Sequence, residues 1–130
     1  MEIIVRAKDI ELTPHLENYT RKKFSSIKRF IPKLIEKEEE DKEKLGKDVS
    51  RVLMEIEIER LTSGQRKGDI YRTEVHLTFP GKKIRAEETA ELVKEAVDRT
   101  KDDLERQVKK FKEKKDDLQK KGGMEAKRRR

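Results

Sequence analysis

Apolar and polar residues alternate at both ends of a strand-like opening segment. Ile3, Val5 and Ala7 fall on one side of an extended chain and Glu2, Ile4 and Arg6 on the other, which predicts a short strand over residues 2–7. Thr13-Pro14 then marks a helix start. Thr13 can accept from an unpaired backbone N–H as N-cap, and Pro14 suits the first helical position, where its missing N–H costs nothing. Leu16, Tyr19, Ile27, Phe30 and Leu34 recur near helical spacing, with Phe24 and Ile31 widening the stripe. Pro32 disfavours a helical Ile31, so a kink or break is expected there.

Val52, Met54, Ile56 and Ile58 form one apolar strand face, with Glu55, Glu57 and Glu59 opposite. Ser63-Gly64 and Gly68-Asp69 signal turns in a polar loop. Tyr71, Thr73, Val75, Leu77 and Phe79 alternate with Arg72, Glu74, His76 and Thr78. Pro80-Gly81 can turn the chain with glycine at positive φ, leading into a short strand over Lys83–Ala86. From Thr89 the period becomes helical. Val93, Ala96, Val97, Thr100, Leu104, Val108 and Phe111 form a buried stripe, with Leu118 extending it, and Gly122-Gly123 is expected to break the helix.

The order is strand, helix, three strands, helix. One-faced strands need cover, and two helices on one side of a four-stranded sheet supply it. The expected fold is a two-layer α+β sandwich, β-α-β-β-β-α, similar in shape to double-stranded RNA-binding domains. The domain spans 1–115, with a charged insertion at 33–50 and a basic, flexible tail at 116–130.

Charge sharpens this picture. Of 130 residues 48% are charged, with 35 basic and 28 acidic side chains and a net charge of +7. Residues 1–30 carry a net +3, 31–50 a net −2, 51–95 zero and 96–130 a net +6. The excess therefore lies at the two ends of the chain, in the helices and the tail, where a polyanion could use it. The acidic run Glu36–Glu43 makes 33–50 a poor nucleic-acid contact.

The chemistry of catalysis is missing. Cysteine is absent, which excludes a disulfide scaffold, a thiolate metal site and thiol catalysis. His15 and His76 have no metal-ligand spacing, and His76 falls on the outer sheet face. There is no nucleophile elbow, phosphate-cradling glycine loop or dinucleotide fingerprint. The row Glu55, Glu57, Glu59 could bind a hard cation, but such a row is far more often the solvent face of a strand. No apolar run approaches the roughly 20 residues that span a membrane. A non-enzymatic, cytoplasmic protein without metal or cofactor is expected.

Three pieces of the chain resemble a known family. They are Met1–Val5 with Leu12-Thr13-Pro14 and Leu16–Phe24; Val75-His76-Leu77-Thr78-Phe79-Pro80-Gly81; and Ala96-Val97-Asp98 with Asp103-Leu104-Glu105-Arg106-Gln107-Val108-Lys109-Lys110-Phe111-Lys112. Together they resemble the ribosome hibernation-promoting factor family, also called ribosome-associated inhibitor or sigma-54 modulation proteins, over about 1–31 and 51–115. The resemblance implies binding to the small ribosomal subunit in the channel used by tRNA and mRNA, and inhibition of translation under stress or in stationary phase. It implies partners in the small subunit, its rRNA and the 70S ribosome, no membrane, and a monomer off the ribosome.

The chain departs from the family pattern in three ways. Lys94 stands where the family usually has an aromatic, 33–50 is longer and more acidic, and 130 residues leave no room for the dimerisation domain of long forms. A short form with a tail is expected.

On this reading Lys22, Lys23, Lys28 and Arg29 supply one side of a basic ridge, and Arg99, Arg106, Lys109, Lys110 and Lys112 the other. Arg85 extends the patch, with Arg6, Lys8, Arg72 and His76 around the sheet. Lys127, Arg128, Arg129 and Arg130 form a tail, joined by Lys120 and Lys121, that reaches into the mRNA path. Such side chains position a protein on phosphates rather than read bases. The alternatives are a general structured-RNA-binding module and a protein-interaction adaptor engaged through 33–50 and the helices.

Overall fold

The protein is described by a computed structural model that covers residues 1–30, 52–61, 68–79 and 81–128, with side chains through Glu113. The chain order is β1 (Glu2–Lys8), α1 (Pro14–Ser25), a 3₁₀ turn (Ser26–Phe30), β2 (Leu53–Leu61), β3 (Ile70–Phe79), β4 (Lys82–Ala90) and α2 (Val93–Arg128). This is the expected β-α-β-β-β-α fold. The 33–50 insertion, the Ile31-Pro32 break, Ser63-Gly64, Pro80, Arg129 and Arg130 lie outside the described residues. So do the side chains of Leu118, Lys120, Lys121, Lys127 and Arg128.

The four strands lie in the order β1-β2-β3-β4. The β2-β3-β4 meander is antiparallel, with Val75 opposite Ile56 and Ala86 opposite Val75. β1 pairs with β2 in parallel, Val5 against Ile56. A parallel neighbour requires a crossover, and α1 lies in that connection. Gly81, at φ 79°, provides the left-handed turn residue of the β3-β4 hairpin.

One sheet face and both helices enclose the core. Met54, Ile56, Ile58, Val75, Leu77, Ile84 and Ala86 are buried from the sheet, and Leu16, Phe24, Ile27, Val97, Leu104 and Val108 from the helices. Phe79 meets Phe111 edge-on, with centroids 5.7 Å apart, closing the end of the core where α2 passes the β3-β4 hairpin. Thr100 Oγ1 lies 3.0 Å from the Thr73 carbonyl, joining the helix to the sheet within the core.

Helix α1 begins as its sequence requires: Leu16 N–H donates to Thr13 Oγ1 at 3.1 Å, with Pro14 in the first turn. It stops at Ser25 and tightens into the 3₁₀ turn, so the continuous stripe to Phe30 divides into two pieces. Thr20, absent from the expected stripe, is buried on the same face as Leu16 and Phe24, and its hydroxyl is satisfied by donating to the Leu16 carbonyl at 2.8 Å.

Two boundaries differ from the sequence reading. β4 extends to Ala90, because Ile84, Ala86 and Ala90 keep an inward phase that small residues hide from a hydropathy pattern. The break expected at Gly122-Gly123 is absent, and α2 runs on to Arg128. Glycine costs a helix about 1 kcal/mol relative to alanine but, unlike proline, does not clash with it.

Candidate nucleic-acid interface

The two faces of the molecule treat charge differently. The four strands carry seven basic and seven acidic residues, a net of zero. The helical segments 14–30 and 93–113 carry twelve basic and seven acidic residues, a net of +5.

On the outer sheet face the register places Glu57, Glu74 and Glu87 directly opposite one another across β2, β3 and β4. Like charges in that arrangement repel. Arg72 sits among them. Its Nη2 donates to Glu57 and Glu59 at 2.7 Å each, its Nη1 to Glu74 at 3.2 Å and Glu87 at 3.3 Å, and its Nε to Glu59 at 3.0 Å. Those bonds use the full donor capacity of a guanidinium. Among the described residues no group of His, Asp or Glu side chains is arranged to hold a metal ion.

Arg85 donates to Glu74 at 2.6 Å and also pairs with Glu87. Arg6 pairs with Glu55 at 3.1 Å, Lys8 with Glu59 at 3.8 Å, and His76 Nε2 with Glu74 at 2.8 Å. Hydrogen bonding from Arg72 holds the Glu59 carboxyl below its usual range. Burial alone would raise Glu74, but hydrogen bonds from His76 and Arg85 outweigh it and bring that carboxyl down as well.

This network makes acid stability depend on Arg72. A carboxyl whose folded pKa is depressed contributes stability above its unfolded pKa, near 4.5, and loses it as the pH falls through the lower folded value. Arg72→Met is expected to cost about 2–3 kcal/mol at pH 7, below the range for a fully buried pair because the side chain is 18% exposed. The gap from wild type should narrow below about pH 4, as the stranded glutamates protonate. Urea unfolding at pH 7 and pH 3.5 measures this; a pH-independent gap would contradict it.

The helix layer resolves the expected ridge into separate places. Lys22 and Lys28 line a shallow groove with Met1, Ile3, Arg21 and Ser25, beside β1. Lys23, Arg29 and Lys109 lie at the seam between α1 and α2. Lys23 Nζ is 3.6 Å from Asp98 Oδ1. Glu105 takes Arg29 at 2.8 Å, Lys101 at 3.0 Å and Lys109 at 3.7 Å. Hydrogen bonds from Lys101 and Arg29 hold the Glu105 carboxyl below the usual range, and the Glu105 bond raises Lys101.

Helical periodicity puts Lys112 on the same side of α2 as Asp98 and Glu105. Arg99, Arg106 and Lys110 take the other flank. Arg99 pairs with Glu95 and donates to the Thr89 backbone carbonyl of β4 at 3.2 Å, and Arg106 pairs with Asp103 at 2.6 Å. Lys22, Lys28, Lys110 and Lys112 form no ion pair with any described residue. Arg85 is on the opposite face of the sheet and does not join the helical cations.

Sequence reasoning missed the groups that organise the seam. Tyr19 Oη donates to Asp98 Oδ1 at 2.7 Å, and burial together with Asp98 pushes its pKa to about 12. Lys94 lies over the Tyr19 ring, 5.0 Å from its centroid. The i to i+7 spacing of Asp98 and Glu105 was visible in the sequence. Their partners on the α1 side, Tyr19, Lys23 and Arg29, stand 75–79 positions away, which no local pattern reveals.

The profile of the Sigma 54 modulation protein / S30EA ribosomal protein family matches residues 3–116. The chain belongs to this family. Among solved structures, the S30EA-family chain is similar to the Thermus thermophilus Protein Y N-terminal domain, with 23% identity, TM-score 0.60, and coverage of 85% of this chain and 99% of that one. A ribosomal subunit interface protein from Coxiella burnetii is similar at 16% identity and TM-score 0.58, covering 86% of this chain and 98% of that one. No curated protein matches by direct sequence comparison. Among the described residues no helix of this family member is long and apolar enough to cross a membrane.

Proposed function

We propose that the protein is a ribosome hibernation factor. It binds the small ribosomal subunit in the channel used by tRNA and mRNA, and blocks translation under stress or in stationary phase. Membership of a ribosome-associated family supports the class of partner. The observation that carries the binding mode is the segregation of charge: the sheet face is neutralised by its own glutamates, while the helix layer keeps a net +5. A polyanion approaching the domain therefore meets its favourable potential over the helices.

In this reading Lys22, Lys23, Lys28, Arg29, Arg99, Arg106, Lys109, Lys110 and Lys112 lie along RNA backbone and displace its counterions. Occupation of the channel excludes tRNA and mRNA sterically, so inhibition needs no catalysis and no cofactor. The protein acts in the cytoplasm as a monomer until it meets the small subunit or the 70S ribosome. Residues 116–130 serve as a basic arm directed along the mRNA path.

Co-sedimentation with small subunits and whole ribosomes tests the reading. Binding should weaken steeply as salt rises, fall under saturating tRNA, and decrease on deletion of 122–130. A generic RNA duplex should compete poorly. Full binding in the presence of saturating tRNA would place the protein outside the channel, and equal affinity for the duplex would make it a general RNA binder.

A further inference from the structure

We infer that Lys94, held on the face of Tyr19, is a phosphate-binding position on the RNA surface. The inference rests on the functional reading above and extends its set of contacts.

Two ammonium groups share the Tyr19 ring, Lys94 Nζ at 5.0 Å and Lys23 Nζ at 5.6 Å from the centroid. They differ in what else they touch. Asp98 Oδ1 receives the Tyr19 hydroxyl at 2.7 Å and lies 3.6 Å from Lys23 Nζ. Lys94 pairs with no carboxylate among the described residues and rests on the aromatic face. Two cations and one carboxylate leave this cluster with a net charge of +1.

A second cluster along the same seam shows the contrast. Phe30 also carries two cations, Arg29 at 4.7 Å and Lys109 at 5.3 Å. There Glu105 pairs with both of them. Both cations on Phe30 thus share one carboxylate, whereas Lys94 pairs with none among the described residues. An aromatic face attracts an ammonium without accepting all of its N–H donors.

Lys94 is exposed, held against the ring and without a carboxylate partner among the described residues. A phosphate oxygen can complete its hydrogen bonding. Because the ring already restrains the side chain, less conformational freedom is lost when the anion arrives. The seam position places this contact between the cations of α1 and those of α2, continuous with the surface assigned to RNA.

The test is small-subunit binding measured across a salt series. Lys94→Gln should weaken binding about 3- to 10-fold at moderate salt and lower the slope of log affinity against log salt by about 0.7–0.9. Lys94→Arg should keep the slope. Tyr19→Leu, which leaves the charge but removes its support, should lower affinity with the slope unchanged. Wild-type slope and affinity in Lys94→Gln, alongside normal wild-type binding, would overturn the inference and leave the functional reading intact.

Failure of the wild type to bind small subunits would overturn the functional reading instead. The site is then read with a generic RNA duplex and the Tyr71→Phe protein, whose one remaining tyrosine is Tyr19. Duplex binding should change Tyr19 emission, and Lys94→Gln should abolish that change. Unchanged emission at saturation would overturn the inference.

Discussion

Replacing Lys22, Lys28, Lys110 and Lys112 together by glutamine is expected to lower affinity for the small ribosomal subunit by about 10²- to 10³-fold, with little effect on folding. The four lysines share one property: none forms an ion pair with another described residue. Their charge is therefore not engaged within the described fold, and each can release a phosphate counterion on binding. Removing four such contacts should reduce the salt slope by about 3. Surface substitutions of this kind usually change stability by no more than about 0.5 kcal/mol each.

The paired cations make the natural comparison. Arg106→Gln removes a charge whose partner Asp103 lies 2.6 Å away, so a smaller loss of affinity is expected. Equilibrium binding at two or three salt concentrations separates these effects. A quadruple variant that binds within about threefold of wild type would show that the RNA surface lies elsewhere.

Phe24→Ala is expected to have the largest effect on the fold. Phe24 is fully buried near the end of α1, where the helix gives way to the 3₁₀ turn, and belongs to the core shared by both helices and the sheet. Truncating a buried phenylalanine costs about 3–5 kcal/mol, from lost burial and the cavity left behind. Small domains have about 5–15 kcal/mol in total, so most of the margin could disappear. A fall in Tm of about 15–30 °C should follow. Thermal unfolding by circular dichroism measures it, and a loss below about 1 kcal/mol would mean that the site collapses or is poorly packed. Binding should fall with the folded fraction, leaving the salt slope of the folded protein unchanged.

These two variants act on different levels of organisation, and the levels differ in how readily a sequence reveals them. The period-two run Val52–Glu59 and the 3.6-residue stripe from Val93 to Phe111 specify their elements because burial on one face imposes a spacing. Val97, Leu104 and Val108 are all buried as that spacing requires. In sequence β4 reads as ending at Ala86 because Ala90 gives a weak apolar signal beyond the polar Glu87, Glu88 and Thr89, while lying inward.

The basic ridge was harder to read. Arg99, Arg106 and Lys109 stand close together in sequence, but α2 turns Lys109 toward the seam and Arg99 toward β4. Arg85 looked like another member, yet strand alternation places it on the opposite sheet face with Glu74 and Glu87. Tyr19 reads as part of the apolar stripe and Lys94 as a replaced aromatic; their contact is not foreseen because it depends on how α1 lies beside α2.

The sequence by itself determined the element order, the composition of the core and the excess of positive charge in the helices. All three follow from local rules: periodicity, capping and counting. Only the tertiary structure decided that β1 runs parallel beside β2, that Arg72 gathers four glutamates, and which lysines keep their charge unpaired among the described residues. The physical reason is that a charge takes its effect from neighbours within a few ångströms, and folding chooses those neighbours from distant parts of the chain.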